Sequence, residues 1–307
     1  MINKYIVFLF ASLVFFSNDS KSCLRHPSYY GVQELTQAEI NAGVIETATR
    51  VYSDINTHHI YPTHEETIIS LHKSWEAKYI TSVGIDGTGK KVTMNVPTLT
   101  HTGSLNQFGD DLEELVKTDG CVLECTIALQ ITQILCLRDL LGGDNFNAYV
   151  ALMLDRLQEE KLSIDDLFGS LCPPFFNTFE GAKEIPGSIT YLTNVVLYKN
   201  FKPSGNGRGS NVFCVGDNAY LGFSGIYAKG PQDLRTIEDQ DLELFTRTCD
   251  LQENEEMHKI FSQHYSSHPE EFYVDRARDQ CLIQFYQIFD EELINDFRKW
   301  QHIDINF

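Results

Sequence analysis

Glu124-Cys125 stands at the head of an apolar run that continues to Leu141, and this pair is where the chain's chemistry is expected. A nucleophilic cysteine needs thiolate character, which the unpaired N–H groups and positive dipole end of a helix N-terminus supply. It also needs a neighbouring group that takes or returns a proton. Gly120 breaks the preceding segment, so the helix is expected to begin between Gly120 and Cys125, with the Glu124 carboxylate alongside as acid or base. The competing view of Cys125 is a small apolar side chain in a core helix, the role expected of Cys136. Cys121 lies four residues earlier, a spacing that on a helix allows either a regulatory disulfide with Cys125 or two unrelated buried thiols.

The elements around this pair follow from pattern. Residues 125–141 are almost continuously apolar, so that helix must be buried nearly all round, and Gly142-Gly143 ends it. Asp144 is placed to cap a following helix whose inward face is Phe146, Tyr149, Val150, Met153 and Leu157. Upstream, Thr36-x-x-Glu39 is a capping box opening an amphipathic helix through Ile40, Val44, Ile45, Ala48, Val51, Tyr52 and Ile55. A second box, Thr63-x-x-Glu66, opens a segment with Ile68, Ile69, Trp75 and Tyr79, and Asp86-Gly87 separates two strand-like runs. The polar stretch from Pro97 to Asp110 has the composition of an active-site loop or a boundary, and helix is expected from Asp111. Downstream, Pro186-Gly187 leads into Ile189 to Tyr198, and Val212 to Val215 and Tyr220 to Tyr227 flank the turn Asp217-Asn218, which together predict an antiparallel sheet. Asp241 to Phe307 reads mostly as helix.

The string Leu123-Glu124-Cys125-Thr126-Ile127-Ala128, running through Leu140-Leu141-Gly142 to Phe146-Asn147, resembles the nucleophile helix of the bacterial spore-coat type of protein-glutamine γ-glutamyltransferase. Pro186-Gly187, Gly209-Ser210-Asn211-Val212, Gly216-Asp217 and Tyr220-Leu221-Gly222 match in the same order, so the resemblance covers roughly residues 110–228. It implies an α+β, papain-like fold, a nucleophile helix followed by an antiparallel sheet, with a mostly helical N-terminal region before it. It further implies that a thiolate attacks a glutamine side-chain amide, expels ammonia and forms a thioester, which a lysine amine or water then opens. Cys125 carries over as nucleophile and Glu124 as the adjacent carboxylate. The implied partners are proteins bearing glutamine and lysine side chains, and no cofactor is implied.

Two positions depart from that pattern. The family's second carboxylate falls on Ser210, and its histidine falls on Phe223, between Gly222 and Ser224. A phenylalanine moves no protons, so activity would rest on Glu124, and a histidine restored at position 223 is expected to do no harm or to help. Three functions remain in play: an acyltransferase or deamidase built on Cys125 and Glu124; a binding module with a dead site; and another cysteine hydrolase that takes its histidine from His101 or from the C-terminal region.

Lys4 followed by the apolar run Tyr5 to Phe16 reads as a secretory signal, with Ser20 and Ser22 offering a cleavage site before Cys23. The expected organisation is a signal peptide over 1–22, a helical N-terminal region with a hairpin over 23–100, and a transglutaminase-like catalytic domain with acidic C-terminal helices over 101–307. A secreted or periplasmic location follows, with no membrane span after signal removal. The formal net charge of −19 opposes contact with phosphate backbones, which excludes nucleic acid as a natural partner. Eight cysteines are too few for a disulfide scaffold, though individual bridges fit an oxidising compartment. Gly84 to Lys90 has the outline of a phosphate loop, but Lys91 stands where a hydroxyl would hold Mg²⁺, so nucleotide binding is rejected. His58, His59 and His64, and likewise His258, His264 and His268, lack ligand spacing typical of zinc, so no metal site is expected. The acidic run Glu253-x-Glu255-Glu256 is a solvated face or a docking surface for lysine-rich proteins.

Overall fold

The computed structural model describes residues 33–58, 73–85, 91–121, 123, 125–157, 162–164, 177–179, 185–193, 209–223, 230–237, 239–240, 263, 266–267, 285–287, 289 and 291–300. The chain mixes helix and sheet and divides into two compact units. One comprises Met1–Lys78, Thr98–Asn177 and Tyr286–Phe307, the other Tyr79–Pro97 and Thr178–Phe285.

In the first unit, helix α1 (Gln37–His58) opens with the expected capping box. The Thr36 backbone N–H donates to Glu39 Oε2 at 2.7 Å, and the Glu39 N–H donates back to Thr36 Oγ1 at 3.3 Å. The Thr36 N–H, together with the Thr36 hydroxyl donating to Glu39 Oε2 at 2.8 Å, holds the Glu39 carboxyl below its ordinary pKa. Ile40, Val44, Ala48, Val51, Tyr52 and Ile55 are buried at helical spacing, as the periodicity demanded. Strands β1 (Trp75–Ile85) and β2 (Lys91–His101) follow as neighbours in a three-stranded sheet, and residues 86–90 lie outside the described residues. Trp75 and Tyr79 therefore belong to a strand, not to a second helix. In Trp75-x-Ala77-x-Tyr79-x-Thr81-x-Val83 the period of two prevails. The box at Thr63 to Glu66 lies outside the described residues.

After a 3-10 turn, Leu105–Gln107, comes helix α2 (Phe108–Val116), which starts before Asp111 because tertiary bonds hold its first turn. The Gly109 N–H donates to Asn147 Oδ1 at 2.9 Å, and Arg138 Nη1 donates to the Gly109 carbonyl at 2.8 Å. A Cβ at Gly109 would meet Arg138 Cδ at 2.7 Å, so only glycine fits. Helix α3 (Cys125–Leu141) and helix α4 (Gly143–Leu157) are separated by Gly142 at φ 85°, whose N–H donates to the Arg138 carbonyl at 2.8 Å. Asp144 sits inside the first turn of α4 and not at its cap.

Helix α3 is the centre of this unit. Every residue from Ile127 to Leu137 is buried, and its principal packing partner is α1. The two helices approach closely at Gly43, where a Cβ would lie 3.1 Å from Leu140 Cδ2. At the C-terminal end of α3 a charged cluster links three helices. Arg138 Nη2 bonds Glu113 Oε2 at 2.9 Å, Arg50 bonds both Glu113 and Asp139, and Thr47 Oγ1 donates to Asp139 Oδ2 at 2.8 Å.

The ends of the described chain also meet within this unit. Asn295, on helix α5 (Glu291–Trp300), donates Nδ2 to the Leu35 carbonyl at 2.7 Å and accepts the Leu35 N–H at 2.8 Å.

A six-stranded sheet has the order β4-β9-β5-β6-β7-β8, of which β5 to β8 belong to the second unit, and β3 (Leu162–Ser163) pairs instead to β2. Its strands are β4 (Asn177–Phe179), β5 (Ile189–Thr193), β6 (Gly209–Gly216), β7 (Ala219–Gly222), β8 (Gln232–Asp233) and β9 (Phe285–Gln287). The run from β5 to β8 is antiparallel. The turn between β6 and β7 is Asp217-Asn218 at φ 51° and 53°, the positive pair a two-residue hairpin requires. Val212, Cys214 and Tyr220 turn one face inward onto Ile237. Strand β9 falls within the segment expected to be mostly helical.

Leu135 is wholly buried on α3, so Leu135→Ala should lower the unfolding free energy by about 2–5 kcal/mol. Gln130 is 3% exposed and its Oε1 has no hydrogen-bond partner, so Gln130→Met should be neutral or stabilising by about 1 kcal/mol. Urea titration of both variants checks the contrast; a milder effect at Leu135 than at Gln130 would contradict it.

Candidate active site at the start of helix α3

The approach to Cys125 is built by short backbone bonds. Helix α2 closes with Lys117 and Thr118 N–H groups donating to the carbonyls of Glu114 and Leu115, both at 3.2 Å. Gly120, at φ 75°, reverses the chain, and Cys121 N–H returns to the Thr118 carbonyl at 3.3 Å. Cys121 and Leu123 are buried, and helix α3 then begins at Cys125 itself. Cys125 is thus the first helical residue, where backbone N–H groups have no intrahelical acceptor and the dipole favours negative charge. Glu124 and the side chain of Cys125 lie outside the described residues.

Three other thiols provide a contrast. Cys121, Cys136 and Cys214 are buried, and Cys121 and Cys136 are free thiols. The disulfide between Cys121 and Cys125 is therefore not formed. Burial pushes the Cys121 thiol up to about 12. Burial pushes Cys136 higher still, with the Asp139 carboxylate adding to the effect. Neither environment supports a thiolate at neutral pH.

His101 is the last residue of β2, not a member of a polar loop. Its Nε2 lies 2.8 Å from Asp111 Oδ2, with the His101 side chain 1% exposed. The ring stands edge-on to Trp75 and Phe108, at centroid distances of 5.1 and 4.9 Å. Trp75 Nε1 donates to the Asp111 carbonyl at 2.9 Å, and a Cβ on Gly103 would come within 2.5 Å of Asp111 Oδ2. This is a sealed polar pair whose histidine is committed to a carboxylate, an arrangement that braces the start of α2. Nothing in the spacing of His101 and Asp111 announces it; a buried histidine ten residues before a helical aspartate has no sequence signature.

Ser210 and Phe223 belong to the second unit. Ser210 pairs with Leu192 in the β5–β6 ladder, and Phe223 follows β7 with its side chain wholly buried. A histidine there would bury a polar ring in place of a hydrocarbon one, costing about 1–3 kcal/mol unless bonded. Phe223→His therefore carries a cost in stability, which the expected neutral or helpful effect on activity would have to outweigh. Of the histidines weighed as metal ligands, His58 Nδ1 lies 2.6 Å from Asp119 Oδ1, while His59, His64, His258, His264 and His268 lie outside the described residues. So does the acidic run from Glu253 to Glu256. Among the described residues no group of three His, Cys, Asp or Glu side chains is arranged to hold a metal ion, and no helix is long and apolar enough to cross a membrane.

No protein-family model matches the chain, and no curated protein matches it. Among solved structures it is similar to the transglutaminase from Geobacillus stearothermophilus without its C-terminal extension, at 14% identity and a TM-score of 0.42, over 69% of this chain and 84% of that one.

The Cys121 thiol titrates higher in the folded chain, about 12, than its ordinary 9.0, so the unfolded chain loses this proton first as pH rises. Its contribution to stability is full below pH 9.0 and fades as pH climbs towards about 12. Iodoacetamide at pH 8 should leave Cys121 and Cys136 unlabelled in the native chain and label both in denaturant; rapid native labelling of either would contradict their burial.

Proposed function

We propose that the chain is an exported cysteine acyltransferase acting on glutamine side chains of proteins, with Cys125 as nucleophile and Glu124 as its proton partner. The observation that carries the proposal is the start of helix α3 at Cys125, where unpaired N–H groups favour a thiolate. The motif order around Cys125 adds the substrate class. In the proposed reaction Cys125 passes its thiol proton to the Glu124 carboxylate, and the thiolate attacks the glutamine amide carbon and forms a C–S bond. The C–N bond then breaks as the leaving nitrogen takes a proton from Glu124, releasing ammonia and leaving a thioester. A lysine amine opens the thioester to an isopeptide, or water opens it to glutamate, and either step returns the thiol. A papain-like arrangement of the nucleophile helix and the antiparallel sheet belongs to the same proposal, as do the signal peptide over 1–22 and a secreted or periplasmic location. The net charge of −19 suits basic protein substrates and disfavours nucleic acid.

One observation favours a second function. Phe223 fills its position as a fully buried apolar residue where the resembling family has a histidine, which suits a binding module that no longer catalyses.

Ammonia release and incorporation of a labelled primary amine, measured on a glutamine-bearing protein, separate the two. Wild type should be active, Cys125→Ala should fall to background, and Glu124→Gln should lose about a hundredfold or more. Equal ammonia release from wild type and Cys125→Ala would end the acyltransferase proposal.

A further inference from the structure

The C-terminus of α1 is tied to the loop that feeds Cys125 at two adjacent residues. The His58 ring nitrogen Nδ1 lies 2.6 Å from Asp119 Oδ1, and the Gly120 N–H donates to the His58 carbonyl at 2.8 Å. Gly120 reaches that carbonyl only because its φ of 75° reverses the chain, a conformation that costs other residues about 1–2 kcal/mol. The last carbonyls of a helix lack intrahelical donors, so the Gly120 bond also completes α1. The tie is local: Asp119 is 89% exposed and His58 30% exposed, so neither side chain is needed to fill the core. Asp119 stands six residues before Cys125, with Cys121 buried between them. Gly120 stands five residues before the start of α3, so the two ties hold the chain shortly before that helix begins.

From this geometry we infer that His58 and Asp119 are positioning residues for the Cys125 thiol. They fix the entry of the chain into α3, and so keep the first-turn N–H groups ordered around residue 125. The inference rests on the proposed role of Cys125 as nucleophile and adds residues that no motif identifies. It assigns neither residue to contact with substrate. With the tie broken, the first turn of α3 frays and the thiolate loses the stabilisation of the helix end.

The test is the rate of iodoacetamide alkylation at pH 7, read cysteine by cysteine by peptide mapping of the full chain. His58→Ala and Asp119→Ala should each slow labelling of Cys125 about fivefold, the effect expected of a helix end, and the double variant should be no slower than either single one. Asp119→Asn, which keeps an acceptor for the ring N–H, should restore at least half the wild-type rate. Cys136 should remain protected in every variant. Wild-type rates at Cys125 in both alanine variants would overturn the positioning role while leaving the nucleophile intact. Labelling of Cys136 in step with Cys125 would also overturn it, because the effect would then be general loosening. A wild-type Cys125 no more reactive than the same thiol in the denatured chain would overturn both this inference and the proposed function beneath it.

Discussion

The burial of helix α3 from Ile127 to Leu137 is the constraint on which the rest depends. A seventeen-residue helix with apolar side chains on all faces cannot stand at a surface, so other elements must enclose it. Helix α1 supplies the largest share by laying a regular stripe of Ile40, Val44, Ala48, Val51 and Ile55 along it. Its two ends cannot be buried in the same manner, because their backbone groups need polar partners. At the C-terminal end the Gly142 N–H donates to the Arg138 carbonyl and the Asn145 side-chain amide donates to the Leu141 carbonyl, both at 2.8 Å, which meets that need. The N-terminal end starts at Cys125, and the proposed reaction would draw on the first-turn N–H groups there.

The difference between Cys125 and its neighbours follows from position alone. Cys121, Cys136 and Cys214 are enclosed by the fold, and for Cys121 and Cys136 burial holds the proton on sulfur. A thiol at the first position of a helix has the opposite electrostatic setting. Cysteines of both kinds are spelled with the same letter, and only the helix boundary separates them. The approach to that boundary is prepared from two sides, by the His101–Asp111 pair at the start of α2 and by the His58–Asp119 tie after its end.

Much of this was legible in the sequence where a single element decides the outcome. The capping box at Thr36 and Glu39, the extent of α3, the break at Gly142 and the Asp217-Asn218 turn all depend on local backbone chemistry, which the residues themselves carry. Trp75 and Tyr79 were misread because their helical spacing coexisted with an alternation of period two, and pairing with β2 favoured the latter. Residue pairs such as His101 with Asp111, or Asn295 with Leu35, were invisible because tertiary distance leaves no trace in spacing. The division into units that take turns along the chain was hidden for the same reason. Phe223 shows the reverse case: the substitution was plain in the sequence, but its meaning as a core residue required its burial.

The central claim is that Cys125 forms an acyl bond to substrate. Intact-mass and peptide-level mass spectrometry of the full chain, quenched in acid after mixing with a glutamine-containing peptide, measures it most directly. The account predicts a transient adduct equal to the peptide less ammonia, localised to Cys125. No adduct, or one carried by a different cysteine, would contradict it.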